Sequence, residues 1–251
     1  MNGKIVGKIA LALALGAVVG SAAAIDLGGA LGAGGKLAKG ATLSEKEVKE
    51  NAAQACAYMD QTNKVAPAGS PYAKRLATIT KGLNNEDGLQ LDFKAYLVPD
   101  VNAFAMANGC VRVFAGLMDQ FSDDEVRGVI GHEIGHVKLG HSLSKMRTAL
   151  LTAGAREGVA ASGKGRASEI AASQLGGLAE SVVNSQFSQK EELAADEYGY
   201  HFMVRHKYDP NAMVSMFKKL GGSGGLVSSH PASPKRVKNI ESLIAKGAKK
   251  K

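Results

Sequence analysis

The sequence contains no tryptophan, two cysteines and six prolines, and aromatic side chains make up 5% of its 251 residues. Beyond residue 25 no uncharged run approaches the ~20 residues that span a bilayer, so the greater part of the chain is read as soluble. No internal repeat is visible, and about 210 residues are enough to bury one core, which points to a single α+β domain. The chain is basic, with a net charge of +8, yet no nucleic-acid-binding motif accompanies the charge. The surplus is scattered apart from a tail at 246–251. It suits peripheral contact with anionic lipid or acidic partners, but is read first as solubility.

The one long apolar run lies at the start. Residues 1–24 carry Lys4 and Lys8, then an uncharged stretch from Ile9 to Ile25 with Ala22-Ala23-Ala24 as a small-residue cleavage site. This is the pattern of a secretory signal peptide cut after Ala24; an uncleaved inner-membrane anchor facing the periplasm is the alternative. Cleavage removes two lysines and no acids, so the net charge falls from +8 to +6. Residues 25–41 are rich in Gly and Ala and read as a linker, leaving 42–251 as the folded domain with its basic tail. In an exported chain the two cysteines suggest one disulfide, Cys56 to Cys110, worth about 4 kcal/mol in the chain-entropy model. Two buried free thiols are the alternative.

Chemistry enters at His132-Glu-Ile-Gly-His136. Helical residues advance about 100° each, so His132 and His136 lie one turn apart on one face and can grip one zinc ion, with Glu133 beside them as a general base. Ser122 and Glu125 form a capping box just upstream. Val126, Ile130, Ile134 and Val137 fall within an arc of about 80° opposite the histidines, so one face is expected in a core and the other on a cleft.

A catalytic zinc takes three protein ligands and keeps a fourth position open, so a third ligand is required. A related pattern places a third histidine six residues after the second, beyond a glycine bend, but those positions are Ser142 and Leu139 here. His141 lies half a turn from His132 if the helix continues, and is assigned to the helix end, where a cation suits the dipole. The segment Glu191-Glu192-Leu-Ala-Ala-Asp196 offers an alternative, with Glu192 and Asp196 four apart on one face. Positions 194–196 and 200 hold no Lys or Arg, unlike an ordinary solvated acidic helix. Glu192 is the candidate third ligand, with Glu191 its rival, and Asp196 is placed behind a ligand histidine. The small Ala195 and Gly199 on or near this face permit close approach of the two helices.

The remaining elements follow from pattern. Helices are expected over 42–63, 71–83, 169–186, 189–207, 210–220 and 234–246, with the motif helix running on toward Leu151. A turn is expected at 84–88 and a strand over 91–98. Residues 102–107 and 110–114 read as a hairpin closed by Asn108-Gly109 in a type I′ turn. Gly-rich stretches at 153–168 and 221–225 read as flexible.

Together these residues resemble the zinc metallopeptidase family of HtpX and the CAAX prenyl endopeptidases, and within it the LoiP-type periplasmic proteases. The markers are Val101-Asn102-Ala103-Phe104-Ala105, His132-Glu-Ile-Gly-His136, Glu192-Leu-Ala-Ala-Asp196 and Ser229-His230-Pro231. The likeness runs from about Thr42 to Ala245. It implies a mainly helical gluzincin-type α+β domain with a small sheet bordering the cleft, one zinc per chain, and cleavage of internal peptide bonds in unfolded or misfolded cell-envelope proteins. It further implies that Asn102, Ala103 and Phe104 border an extended substrate by strand addition, and that His230, with Arg236, stabilises the oxyanion. LoiP-type lipoproteins carry a cysteine directly after the signal segment; the first cysteine here is Cys56, which excludes acylation there. A chaperone-like module that grips strands, with latent proteolysis, is the alternative function.

Overall fold

The computed structural model describes residues 43–156, 172–220, 229–231 and 233–248. The expected signal segment and linker, the 221–225 loop and most of the 153–168 stretch lie outside these residues. Ser44 accepts from the Glu47 amide while Glu47 reaches back to Ser44, and this capping box starts α1 (Glu45–Thr62). Ser70 caps α2 (Pro71–Ile79), whose proline sits at the first helical position.

Next come two short strands, β1 (Asn85–Glu86) and β2 (Leu89–Gln90). They pair through Asp87-Gly88, where φ is 50° and 78°. Two consecutive positive φ values make this the type I′ hairpin. The sequence expectation had put that turn at Asn108-Gly109, and the structure corrects it. Only Gly109 has positive φ there, and its N–H donates to the Met106 carbonyl. With Met106 opposite Cys110, the connection is a three-residue loop ending in a left-handed glycine.

The main sheet consists of β3 (Asp92–Tyr96), β4 (Ala103–Ala105) and β5 (Cys110–Phe114), in the order β3-β5-β4. β5 pairs in parallel with β3 and antiparallel with β4. Strand alternation divides the core. Ala95, Ala103, Ala105, Val111 and Val113 join one cluster with Val126, Ile130 and Ile134, whereas Tyr96, Phe104, Cys110 and Phe114 join a second with Val48, Ala52 and Met146.

A short helix α3 (Ala115–Gln120), absent from the sequence expectations, leads into the motif helix α4 (Asp123–Lys138). α4 does not continue to Leu151. Gly140, at φ 77°, ends it as a left-handed cap, and α5 (His141–Arg156) starts afresh. Nor is α4 amphipathic in the expected sense: His132, Glu133 and His136 are buried along with Val126, Ile130 and Ile134, so it is a central helix. α5 also takes up 153–156, the first part of the expected flexible stretch. The chain closes with α6 (Ala172–Asn184), α7 (Gln189–Arg205), α8 (Asn211–Leu220) and α9 (Pro234–Ala248). Among the described residues no helix is long and apolar enough to cross a membrane.

Two links fasten α1 to β5. Cys56 and Cys110 form the disulfide, with Cα atoms 6.6 Å apart. One turn further along α1, Asp60 takes Arg112 Nε at 2.7 Å and Nη2 at 2.9 Å, and also accepts from Lys94 and Tyr96. Burial alone would raise the Asp60 pKa, but these hydrogen bonds outweigh it and hold the carboxyl down at about 2. The folded state therefore binds this proton less tightly than the unfolded chain. The resulting stabilisation, on the order of 2 kcal/mol, is complete above the unfolded pKa near 4 and is lost as pH falls toward 2. The stability gap between wild type and Asp60→Asn, followed by denaturant melts, is expected to shrink over that window. Reduction of the disulfide, which spans 54 residues of sequence, is expected to cost about 4 kcal/mol in the same assay.

Candidate metal centre

α4 and α7 meet at glycines, where a side chain would hold them apart. A Cβ on Gly131 would overlap the Phe202 ring, one on Gly135 would press on the Ala195 carbonyl at 3.1 Å, and one on Gly199 would stand 3.2 Å from the His132 backbone nitrogen. This contact lets residues sixty positions apart share one cluster of donors. His132 Nε2 and His136 Nε2 are 3.1 Å apart. Glu192 lies 3.5 Å from His132 Nε2 through Oε2 and 3.6 Å from His136 Nε2 through Oε1. His230 Nδ1 is 3.1 Å from His132 Nε2 and 2.9 Å from Glu192 Oε1.

The outer edges of the cluster fix the ring orientations. His132 Nδ1 faces Asp196 Oδ1 at 2.9 Å, so Nδ1 carries the proton and Nε2 presents a lone pair inward. His136 Nδ1 faces His141 Nδ1 at 3.0 Å, and Phe187 stacks on the His136 ring with centroids 3.7 Å apart. Burial pushes the His136 pKa well below its ordinary value, leaving that imidazole neutral. Burial also lowers His141, against the cationic helix-end role read from sequence. The break at Gly140 is what swings His141 behind His136; a glycine one residue past Leu139 was the available signal.

With Nδ1 of both rings protonated, the two Nε2 lone pairs oppose one another at 3.1 Å, a repulsion that a cation between them relieves. Tetrahedral zinc with bonds of about 2.0–2.1 Å separates its ligand atoms by roughly 3.3 Å, near the 3.1 Å between the two histidines and the 3.5 and 3.6 Å from each of them to one or other Glu192 oxygen. Among the described residues, the buried oxygens Glu133 Oε1 and Glu192 Oε2 also lack hydrogen bonds. For Glu192 Oε2 this holds despite Arg236 Nη1 at 2.6 Å, a contact without hydrogen-bond geometry. His132, His136, Glu192 and His230 can therefore hold a metal ion, each offering one atom within 4.8 Å of the others. Glu191, the rival to Glu192, is used elsewhere: its carboxylate caps α7 through the Ser188 amide.

Residues 73–244 match Peptidase family M48. The chain belongs to this family. It is also similar to two Escherichia coli (strain K12) proteins. Metalloprotease YcaL is 40% identical over 98% of this chain and 99% of its own, and metalloprotease LoiP is 42% identical over 94% and 95%. Mitochondrial metalloendopeptidase OMA1 of Arabidopsis thaliana is 30% identical over 61% of this chain and 31% of its own. The M48 chain is thus a zinc metallopeptidase, a hydrolase of peptide bonds whose substrates are polypeptides.

The other expected site residues surround this centre. Glu133 Oε2 accepts the Ala105 N–H at 3.0 Å, and its Oε1 stands 3.3 Å from His230 Nε2. Arg236 holds Asp196 through Nε at 2.7 Å and Nη2 at 2.6 Å, and its Nη1 donates to the carbonyls of His230 and Pro231. Ala103, Phe104 and Ala105 lie buried on the edge strand, where Ala103 N–H is taken by Asn102 Oδ1 and the Ala105 carbonyl by Ser142 Oγ. Neither link of Ala105 was visible in the sequence, since each depends on how β4 meets the α4–α5 corner. The substitution Gly131→Ala, which would drive a methyl into Phe202, is expected to destabilise the fold by about 1–3 kcal/mol through overpacking. It is also expected to lower zinc content, both readable by melting and metal analysis of one sample.

Proposed function

We propose that His132, His136 and Glu192 are the zinc ligands of this metallopeptidase, with Glu133 as general base, and that its substrates are unfolded or misfolded proteins of the cell envelope. The observation that carries the ligand set is the convergence of two imidazole nitrogens 3.1 Å apart with a carboxylate whose oxygens lie 3.5 and 3.6 Å from them. When bound, zinc supplies a Lewis acid that acidifies water and polarises a carbonyl. Glu133 takes the proton of the attacking water through Oε1, the oxygen left without a hydrogen bond, and delivers it to the leaving amine. His230 Nε2, beside that carboxylate, stabilises charge on the tetrahedral oxygen. Arg236 acts through others, orienting Asp196 behind His132 and fixing the His230 backbone. A substrate segment pairs along Asn102, Ala103 and Phe104 in extended form.

On this reading residues 1–24 are an export signal removed on the way to the periplasm, 25–41 a linker, and 42–251 the catalytic domain. One observation favours a latent variant of the same function. His230 Nδ1 lies among the ligand atoms, where the fourth position is otherwise open to water or substrate. In that variant the chain grips polypeptides in a chaperone-like way and cleaves them only after His230 withdraws.

Casein digestion that a chelator stops and zinc restores supports the peptidase; holdase activity indifferent to chelator supports the binding module. Glu133→Gln is expected to retain stoichiometric zinc while losing at least about a hundredfold in turnover. Undiminished cleavage by this variant, measured on the same casein, rejects Glu133 as the base.

A further inference from the structure

Among the described residues, Lys145 is the cationic side chain beside the reacting centre that has no anionic partner. Among the described residues its Nζ makes neither a hydrogen bond nor an ion pair, and its close contact is the face of Phe187, 3.7 Å from the ring centroid. Half-buried, it suffers desolvation that holds its pKa down at about 8, with Glu133, Glu192 and Glu191 opposing this from a distance. None of those carboxylates is available to it: Glu133 holds the Ala105 amide, Glu191 caps α7, and Glu192 faces the histidines and Arg236. A desolvated ammonium with only a ring for company is a poor resting arrangement unless an anion arrives from outside.

Its position says where that anion comes from. Lys145 borders two cavities at once. One is small and shared with Glu133, His230 and Ala105. The other is a groove of about 550 Å³ between α5 and α6, lined by Ser144, Thr148, Ser181 and Glu191 among others, in which Lys145 is the only cation among the described residues. The groove hydroxyl of Thr148 bonds back to its own helix, donating to the Ser144 carbonyl at 3.0 Å, so it adds little pull on an anion. The ammonium therefore stands where the groove opens onto the reacting atoms.

We propose that Lys145 is a specificity-determining residue, receiving a substrate carboxylate at the mouth of the α5–α6 groove within a few residues of the scissile bond. The carboxylate belongs to an acidic side chain or to the chain terminus; both present the same group. The inference rests on the reading of His132, Glu133, His136 and Glu192 as the reacting centre. In a groove that otherwise offers hydroxyls, apolar side chains and a Glu191 carboxylate already engaged at the Ser188 amide, this one cation biases cleavage toward sites flanked by acid.

The test uses the full chain, zinc-loaded, and peptides blocked at both ends that differ only in carrying Glu, Gln or Lys at one position within two residues of the cut. A further Gln peptide has a free terminal carboxylate in place of the amide. Wild type is expected to prefer the Glu peptide over the Gln peptide by about tenfold in kcat/KM, as for one partly desolvated charge-assisted bond. In Lys145→Met the ratio falls to near one, in Lys145→Glu the preference passes to the Lys peptide, and Lys145→Arg keeps the acid preference. A gain confined to the free-terminus peptide assigns the subsite to the chain end. A ratio identical in wild type and Lys145→Met overturns the proposal, because a residue that merely braces Phe187 lowers all rates together. Kd ratios measured in Glu133→Gln, with and without Lys145→Met, separate the two readings. A ratio that depends on Lys145 upholds the subsite even if hydrolysis fails, and one that does not sinks it even if hydrolysis is brisk.

Discussion

Everything at the centre depends on the contact between α4 and α7, brought close by glycines on both helices. Helix axes ordinarily lie 8–10 Å apart, at a distance set by the residues between them. A carboxylate from α7 comes within 3.5–3.6 Å of both histidines of α4 because that distance is short. Gly131, Gly135 and Gly199 supply the shortness, at roughly 1 kcal/mol each in helix propensity against alanine. The loss is offset by packing: Phe202 covers Gly131, Tyr198 covers Gly135 and Met213 covers Gly199. Composition that looks helix-weakening in isolation is therefore what allows the two helices to function as one element.

Charge is the second constraint. Glu133, Glu192, Asp196 and Arg236 are all nearly inaccessible to water, an arrangement whose desolvation penalty runs to several kcal/mol per ion. Arg236 answers Asp196 with two short hydrogen bonds and touches Glu192. Three carboxylates and one guanidinium leave two negative charges for the centre between the histidines to balance. A divalent cation between the histidines closes that balance. Burial would raise the Glu192 carboxyl, but hydrogen bonds from His136 and His230 and the charge of His132 and His230 outweigh it and hold that carboxyl far below its usual range. The same balance explains why Asp196 can sit fully enclosed behind His132 without a proton.

How much of this was legible beforehand followed from the range of each interaction. His132, Glu133, His136, Glu192 and Asp196 were readable because a helix fixes four-residue spacing, and capping boxes at Ser44 and Ser122 mark helix starts through bonds three residues apart. The Cys56–Cys110 pairing needed only arithmetic. What failed was local geometry decided by distant contacts. The type I′ turn fell at Asp87-Gly88 rather than Asn108-Gly109, because the 106–110 connection contains one residue more than the dipeptide rule assumes. The parallel pairing of β3 with β5 has no local signature at all. The burial of α4 on every side was hidden because its glycines and histidines score as polar or neutral, though they pack as core. His141 was misjudged for a single reason: an unbroken helix carries it away from His136, and Gly140 breaks the helix.

That break also joins the centre to the sheet. Because α5 begins in a new direction at His141, Ser142 faces the edge strand and donates to the Ala105 carbonyl at 3.1 Å. The N–H of the same residue goes to Glu133 at 3.0 Å. Residues 102, 104 and 106 turn their main-chain bonds inward to β5, so the outward groups of β4 belong to Ala103 and Ala105. Ala105 is doubly engaged, and Ala103 has its N–H covered by Asn102. Any chain that adds to this edge at Ala105 must take the N–H from Glu133. Pairing and release of that carboxylate are then a single event, and the Cys56–Cys110 and Asp60–Arg112 links behind β5 keep the strand from yielding instead.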